Sequence, residues 1–352
     1  MSGPASDQAI LRVTNLSKHF SRHSGLGSRH GLKVRAVDDV SLYINAGETL
    51  AVVGESGSGK STLGRSIVRA IDPSGGGINL KLPSGDWVDL ALLKDRELRG
   101  LRKHFHMIFQ DPYSSLDPRM TVFDIVSEPL IYNEGVSRAE ARRRVVEVLD
   151  LVGLGERHLT HYPHAFSGGQ RQRIGIARSL ICRPQLIVCD EAVSALDVSV
   201  QAQILNLLKN LQRQFGLSYM FIAHDIAVVE FIAHRIAVMY VGRMVELGET
   251  RDVIDRPLHP YTEALLASVP LTDPGRERSS TPLRGEIASP INPPSGCHFH
   301  PRCPYATERC RSDIPQWREL APGRHVACHY AQELSLKGMT QSPEIPVEHY
   351  IS

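Results

Sequence analysis

Long hydrophobic runs are missing from this 352-residue chain, although 42% of its residues are hydrophobic. The most apolar stretch, residues 226–242, is interrupted by Glu230, His234 and Arg235. It therefore falls short of the ~20 apolar residues that a membrane-spanning helix needs. The N-terminal residues also lack the charged start and apolar run that mark a secretory signal. We expect a cytoplasmic protein that reaches a membrane only through another chain.

Neither positive nor negative charge is in strong excess. The chain has 40 Lys and Arg residues against 38 Asp and Glu residues, which gives a formal net charge of +2. This balance argues against a dedicated nucleic-acid binder, because such proteins carry a clear basic excess. No nucleic-acid partner is expected.

Cysteine is scarce, with six residues in the chain, yet Cys297, Cys303 and Cys310 lie close together and Cys328 follows them. A reducing compartment disfavours disulfides. The spacing C-x5-C-x6-C-x17-C differs from the paired C-x2-C of common zinc ribbons. Four thiolates suit either tetrahedral Zn²⁺ or a [4Fe-4S] cluster, and unligated thiols are the third alternative. Zinc stays open because histidines lie nearby, at His298, His300, His325 and His329.

The order of strand and helix patterns predicts an α/β fold. Two β-rich stretches, residues 10–20 and 34–47, come first, and an amphipathic helix over residues 137–153 begins with a capping box. From residue 186 onward, apolar strands alternate with helices, which predicts a parallel sheet covered by helices.

Changes in composition predict the domain organisation. Residues 1–270 are expected to form the main domain, and residues 271–296 are rich in Pro, Ser and Gly and are expected to be a linker. A small cysteine-containing domain is predicted over residues 297–332, followed by a flexible tail over residues 333–352. A domain of about 35 residues has little core of its own and often needs a metal to fold.

Residues 54–61, GESGSGKS, match the phosphate-loop pattern G-x-x-x-x-G-K-[ST] between a predicted strand and a predicted helix. Glycines let backbone N–H groups turn toward an anion, and the helix N-terminus adds a positive dipole end. We expect Lys60 to pair with the β- and γ-phosphates and the Ser61 hydroxyl to ligate Mg²⁺. The predicted ATP-binding residues of the loop are Gly54, Glu55, Ser56, Gly57, Ser58, Gly59, Lys60, Ser61 and Thr62.

Residues 186–191, LIVCDE, read as a buried parallel strand that ends in two carboxylates. Ligands bind at the carboxyl ends of such strands. Asp190 is expected to hold the Mg²⁺ shell through water, and Glu191 is expected to polarise the attacking water. Together with the phosphate loop, this pair predicts a nucleotide hydrolase.

Residues 166–180, FSGGQRQRIGIARSL, resemble the signature of the ATP-binding cassette (ABC) family, which reads L-S-G-G-Q. Ser167 can cap a helix whose N-terminus offers a second anion site. In the family this site faces the nucleotide of a partner cassette, so the resemblance implies a head-to-tail dimer that encloses two ATP molecules. Phe166 stands where the family usually has leucine, and we expect little functional loss. The signature residues are Ser167, Gly168, Gly169 and Gln170.

The resemblance implies further roles. Gln110 matches the glutamine that senses Mg²⁺, His224 matches the switch histidine that contacts the γ-phosphate, and Phe20 matches the aromatic that stacks on adenine. Mg²⁺ would thus be held through Ser61, Gln110 and Asp190. The implied fold is a P-loop NTPase with a RecA-like core, an antiparallel β subdomain and an α-helical subdomain over about residues 111–170. The dimer-contact loop matches Ser194, Ala195, Leu196 and Asp197.

Three segments look like those of the ATPase subunits of bacterial dipeptide and oligopeptide importers, namely residues 109–122, 162–180 and 256–270. This likeness implies two transmembrane permease subunits, a second ATPase subunit that is identical or different, and a periplasmic or surface solute-binding protein. It also implies a position at the cytoplasmic face of the inner membrane and a [4Fe-4S] cluster on the tail cysteines. Nickel, glutathione and oligosaccharides are alternative solutes, and a soluble ABC ATPase is the alternative function.

Overall fold

The computed structural model describes residues 8–22, 32–111, 113–268 and 285–339. Residues 271–284 of the predicted linker and residues 340–352 of the predicted tail lie outside this description. Within the described ranges, no helix is long and apolar enough to cross a bilayer.

The described residues form twelve strands and ten α-helices. The strands are β1 (Ala9–Arg22), β2 (Leu32–Asn45), β3 (Thr49–Val53), β4 (Gly75–Lys81), β5 (Trp87–Asp89), β6 (Phe105–Ile108), β7 (Leu186–Asp190), β8 (Ser218–Ile222), β9 (Arg235–Tyr240), β10 (Arg243–Glu249), β11 (Arg318–Ala321) and β12 (Arg324–Val326). The α-helices are α1 (Lys60–Ile67), α2 (Asp95–Leu101), α3 (Val122–Glu134), α4 (Arg138–Leu151), α5 (Gly168–Leu180), α6 (Val198–Phe215), α7 (Ile226–Ile232), α8 (Thr250–Asp255), α9 (Pro260–Ala267) and α10 (Glu308–Ser312).

The larger sheet has eight strands in the order β11-β12-β10-β9-β3-β8-β7-β6. Strands β9, β3, β8, β7 and β6 pair in parallel. Every residue of β3, β7 and β8 is buried, as expected for strands that are covered on both faces. The predicted parallel sheet is therefore confirmed, and its three central strands end at the same edge.

A second, antiparallel sheet has the order β2-β1-β4-β5. Its apolar face shares one buried cluster with α1 and with one face of the larger sheet. Leu63 and Ile67 of α1 lie in this cluster and have at most 1% of their surface exposed. The helix that follows the phosphate loop is thus clamped between the two sheets.

Helices α3, α4 and α5 pack together beside the larger sheet. The predicted amphipathic helix is confirmed as α4, whose N-cap Ser137 accepts a hydrogen bond from the Glu140 N–H at 3.3 Å. Its buried face contributes Ala141, Val145 and Leu149 to the main hydrophobic core. This layer positions the signature segment at the start of α5.

The cysteine-containing segment extends the larger sheet. Strand β12 pairs antiparallel with β10, so that Glu246 lies opposite Val326. Phe299 is buried, and its ring centroid lies 5.3 Å from those of Tyr240 and Tyr261. Residues 297–332 therefore share a sheet and part of the core with the residues that precede them.

A buried ion pair joins β12 to β10. Arg324 Nη2 donates to Glu246 Oε1 at 2.6 Å, and both side chains are less than a tenth exposed. Glu246 also accepts the N–H groups of Leu258 and His259 at 2.8 and 3.0 Å. Burial raises the pKa of Glu246, and the charge of Arg324 opposes that shift. The carboxylate is thus compensated by one cation and two backbone donors.

Replacing Arg324 with glutamine should lower the free energy of unfolding by about 3–5 kcal/mol, because an uncompensated carboxylate is left in the interior. A group whose folded-state pKa is raised contributes most stability at low pH and loses it as the pH rises. The loss in Arg324→Gln should therefore be larger at about pH 8 than at about pH 5, because the raised pKa makes Glu246 easier to protonate as the pH falls.

Urea denaturation at both pH values measures this effect. Arg256→Gln is the matched control, because Arg256 pairs with Asp252 at the surface and its side chain is 81% exposed. The control substitution should lower the free energy of unfolding by at most about 1 kcal/mol. Equal losses in the two variants would contradict a stabilising role for the buried pair.

Candidate active site

The phosphate loop connects β3 to α1. Gly54, Gly57 and Gly59 have positive φ angles of 151°, 81° and 103°. A Cβ atom on Gly54 would collide with the carbonyl of Met239, and one on Gly59 would collide with the carbonyl of Ala36. These two glycines are required by close packing as well as by φ. The loop is therefore held against β9 and β2, and its backbone can surround an anion.

Lys60 is the first residue of α1, and its ammonium group lies inside the loop. Its Nζ donates to the carbonyls of Gly54 and Glu55 at 2.7 and 2.9 Å. Burial lowers the pKa of Lys60, whereas the carboxylates of Glu191 and Asp190 raise it. The cation is thus held next to two acidic side chains, where it can also pair with a phosphate.

Ser61 and Asp190 lie in direct contact. The Ser61 hydroxyl donates to Asp190 Oδ1 at 2.6 Å, and the Asp190 side chain is fully buried at the end of β7. Hydroxyl and carboxylate oxygens are hard ligands of the kind that Mg²⁺ prefers. Two of the three predicted Mg²⁺ ligands are therefore adjacent.

Glu191 lies at the centre of a second contact group. Its carboxylate accepts a hydrogen bond from Gln110 Nε2 at 2.8 Å, and His224 Nδ1 lies 3.7 Å from the same oxygen. The backbone of Glu191 has a φ of 48°, and its N–H donates to the carbonyl of Ile222 at 3.0 Å. A non-glycine residue with this φ is strained, and such residues cluster at functional sites.

The predicted signature helix is confirmed at α5. Ser167 accepts a hydrogen bond from the Gln170 N–H at 3.4 Å, and Gln170 Oε1 accepts one from the Ser167 N–H at 3.0 Å. Ser167 is exposed, while Gly169 lies against Val200 of α6. The adjacent Phe166 is buried, so it packs in the core and leaves the glycines at the surface.

The predicted dimer-contact loop runs from β7 to α6. Ser194, Ala195 and Asp197 are exposed, whereas Leu196 is half-buried. The Ser194 N–H and hydroxyl both donate to the carbonyl of Glu191, at 3.1 and 3.0 Å. The exposed loop is thus bonded directly to the backbone of Glu191.

Phe20 lies on β1, in the antiparallel sheet, and is 39% exposed. The Nζ of Lys18 lies 4.9 Å from the centroid of its ring. An aromatic side chain that is this exposed is not part of the core, and its ring can stack on a planar ligand.

The structure brings together Lys60, Ser61, Gln110, Asp190, Glu191 and His224. Among the described residues, the signature and Phe20 lie outside this network. The sequence did not indicate Arg65 or Tyr261. Arg65 Nη2 lies 3.4 Å from Asp190, and its position one turn after Ser61 is a signal that could have revealed it. Tyr261 accepts the Glu55 N–H at 2.8 Å from a distant part of the chain.

The models of two protein families match parts of the chain. The description "ABC transporter" matches residues 37–194, which contain the phosphate loop and the signature. The description "Oligopeptide/dipeptide transporter, C-terminal region" matches residues 245–310, which contain three of the tail cysteines.

Similar proteins align along nearly the whole chain. A probable peptide ABC transporter ATP-binding protein of Sinorhizobium fredii is 52% identical over 91% of this chain and 90% of its own length. The oligopeptide transport ATP-binding protein AppF of Bacillus subtilis is 48% identical over 92% of this chain and 98% of its own length. The di/tripeptide transport ATP-binding protein DppF of Pseudomonas aeruginosa is 46% identical over 93% of this chain and 99% of its own length.

Solved cassettes share the fold. The dimeric post-hydrolysis state of the ATP-binding cassette MJ0796, bound to ADP and Pi, has a TM-score of 0.59 and 31% identity over 69% of this chain and 99% of that one. CbiO1 from Clostridium perfringens has a TM-score of 0.58 and 28% identity over 70% of this chain and 91% of the CbiO1 chain. The chain therefore belongs to the ABC transporter family, in the branch with the oligopeptide/dipeptide C-terminal region, and is an ATPase.

Proposed function

We propose that this chain is the ATP-hydrolysing subunit of a bacterial importer of dipeptides or oligopeptides. One observation carries the catalytic part of the proposal: Glu191 lies between Gln110 and His224, next to the phosphate-loop Lys60. The names of the relatives support the choice of peptides as the solute.

ATP binding uses the phosphate loop and the exposed ring of Phe20. The backbone N–H groups of residues 54–62 surround the phosphates, and the start of α1 adds its positive dipole end. Lys60 exchanges the carbonyls of Gly54 and Glu55 for oxygens of the β- and γ-phosphates. Phe20 stacks on the adenine ring.

Residues that begin α1, end β7 and follow β6 fit a Mg²⁺ ion. Ser61 and Asp190 present two hard oxygens 2.6 Å apart, and the amide of Gln110 completes the set. When bound, the ion neutralises charge on the phosphate oxygens.

Hydrolysis begins when Glu191 orients a water molecule for in-line attack. The water oxygen bonds to the γ-phosphorus as the bond to the bridging oxygen of ADP breaks, and Glu191 takes the proton. His224 contacts a γ-phosphate oxygen. Ser167, Gly168, Gly169 and Gln170 act on the ATP of a partner cassette, so that each site is completed by a second ATPase subunit in a head-to-tail dimer.

The dimer works at the cytoplasmic face of the inner membrane. Two transmembrane permease subunits receive its closing and opening movements, and a periplasmic or surface solute-binding protein delivers the peptide. The likeness to peptide-transport ATP-binding proteins of three bacteria supports these partners.

The four tail cysteines line one small apolar cavity, together with His300 and His329. Burial raises the pKa of Cys297 to about 11 and that of Cys303 to about 12, so bare thiolates are unfavourable there. Within the described ranges, no three His, Cys, Asp or Glu side chains are placed to hold a metal ion. Mononuclear zinc needs its sulfur ligands about 2.3 Å from one point, whereas a four-iron cluster spreads its four thiolates around a larger body.

The nearby histidines have other partners. His298 Nδ1 lies 3.2 Å from the carbonyl of Val241, and His329 Nε2 lies 3.0 Å from the carbonyl of Asp313. His300 Nδ1 lies 3.0 Å from the carbonyl of Cys297. His325 stacks on Trp317 and does not line the cavity. These contacts favour a cysteine-only donor set. We therefore assign a [4Fe-4S] cluster to Cys297, Cys303, Cys310 and Cys328, with zinc as the alternative.

Glu191→Gln should bind ATP and lose most turnover, because a positioned general base contributes about 10²–10⁴-fold. Steady-state phosphate release by the reconstituted transporter measures the loss, and nucleotide titration checks binding. Glu230→Gln is the matched control, since Glu230 is exposed on α7. Hydrolysis near the wild-type rate in Glu191→Gln would remove Glu191 from this role.

Lys60→Ala should weaken nucleotide binding itself. A hydrogen bond to a charged group is worth about 1.5–3 kcal/mol, so the dissociation constant should rise about 10- to 100-fold. Equilibrium titration with MgADP measures this rise. Lys103→Ala, at an exposed position, should bind as the wild type does. Unchanged affinity in Lys60→Ala would contradict the assignment of the phosphate loop.

Anaerobically purified protein should contain about four iron and four sulfide ions per chain and absorb visible light. Cys303→Ser should lose this absorption and most of the iron, whereas Cys182→Ser, outside the tail, should retain both. A colourless wild-type protein with one zinc ion per chain would reverse the assignment.

A further inference from the structure

Arg302 precedes Cys303 in sequence, yet its guanidinium group lies beside the phosphate loop. Its Nη1 donates to Glu55 Oε2 at 2.7 Å, and its Nη2 donates to Glu55 Oε1 at 3.1 Å. The arginine side chain is 5% exposed and the glutamate side chain 22%. A two-pronged contact of this kind is short, directional and stronger than a single neutral hydrogen bond.

Aromatic residues fix this ion pair in place. The hydroxyl of Tyr240 accepts from Arg302 Nη1 at 3.5 Å, and the Phe299 ring centroid lies 6.0 Å from the guanidinium carbon. The Glu55 N–H donates to the hydroxyl of Tyr261. Glu55 is thus held through its side chain and its backbone by residues outside the phosphate loop.

Glu55 lies where its charge affects an incoming nucleotide. Its carbonyl accepts a hydrogen bond from Lys60 Nζ at 2.9 Å, so its peptide unit lies beside the phosphate-binding cation. The Glu55 carboxylate also acts on Lys60 through its charge, which raises the pKa of that lysine. Without a partner, this carboxylate would attract Lys60 and repel the polyphosphate. The guanidinium of Arg302 cancels that charge.

The backbone connects Arg302 to the cysteines. His300–Arg302 form a single 3-10 turn, in which the Arg302 N–H donates to the carbonyl of Phe299 at 3.0 Å and the Cys303 N–H to that of His300 at 3.3 Å. The Cys297 N–H pairs with the carbonyl of Cys310 at 2.9 Å. A change in the arrangement of the cysteines therefore shifts the turn that carries Arg302.

We propose that Arg302 is a positioning residue for nucleotide binding, which neutralises and fixes Glu55 so that Lys60 stays available to the phosphates. The cysteine-containing segment is then a part of the nucleotide site. This inference rests on the proposed role of residues 54–62 in binding ATP.

Titration of the full-length chain with MgADP tests the inference. Arg302→Gln should raise the dissociation constant about 10-fold, because the half-buried carboxylate of Glu55 is left uncompensated next to the phosphate site. The double variant Arg302→Gln with Glu55→Gln should recover most of that loss, because it removes the repelling charge. Arg302→Lys keeps the positive charge but cannot donate to both carboxylate oxygens of Glu55 at once. Its dissociation constant for MgADP should therefore lie between those of the wild type and Arg302→Gln.

The control is Arg309→Gln, in the same segment, whose side chain is 60% exposed. It should bind MgADP as the wild type does. Wild-type affinity in Arg302→Gln would overturn the inference. Equally weak MgADP binding by the single and double variants would also overturn it, because simple disruption of the fold predicts that Glu55→Gln does not restore affinity. Failure of the wild-type chain to bind MgADP would instead contradict the proposed function of the phosphate loop.

Discussion

The parallel pairing of β3, β8 and β7 is the constraint on which the site depends. Parallel strands carry their chain ends to the same edge of a sheet, so the phosphate loop after β3, the carboxylates at the end of β7 and His224 after β8 meet there. The three strands are buried over their full length, and a shift of register would remove apolar side chains from both faces. Packing of the core and placement of the catalytic groups are thus the same requirement.

The site gathers several charges in a region that is partly shielded from water. Lys60 is 5% exposed and Asp190 is fully buried, while Glu191 lies close by. Carbonyls of the phosphate loop accept hydrogen bonds from the lysine ammonium, and Ser61 and Arg65 contact the aspartate. Groups that are already oriented in this way need little rearrangement when phosphate replaces the carbonyls.

Two ion pairs connect the C-terminal segment to the cassette. Glu246 with Arg324 holds β12 to β10, and Glu55 with Arg302 joins the segment to the phosphate loop. Strands β12 and β11 also cover the edge of β10, whose backbone groups would otherwise be open to pairing with another chain. The C-terminal segment therefore has a structural connection to the phosphate loop.

The sequence alone determined the parallel sheet, the helix caps at Ser137 and Ser167, and the choice of Lys60, Ser61, Asp190 and Glu191 as proposed site residues. These features depend on local patterns, since a glycine loop, an apolar strand and a helix cap are each formed by neighbouring residues. Only the tertiary structure decided that residues 297–332 share the large sheet and that Arg302 meets Glu55, 247 residues away in sequence. Contacts of this range depend on how the sheet edge and the aromatic cluster of Tyr240, Tyr261 and Phe299 pack, which no local pattern encodes.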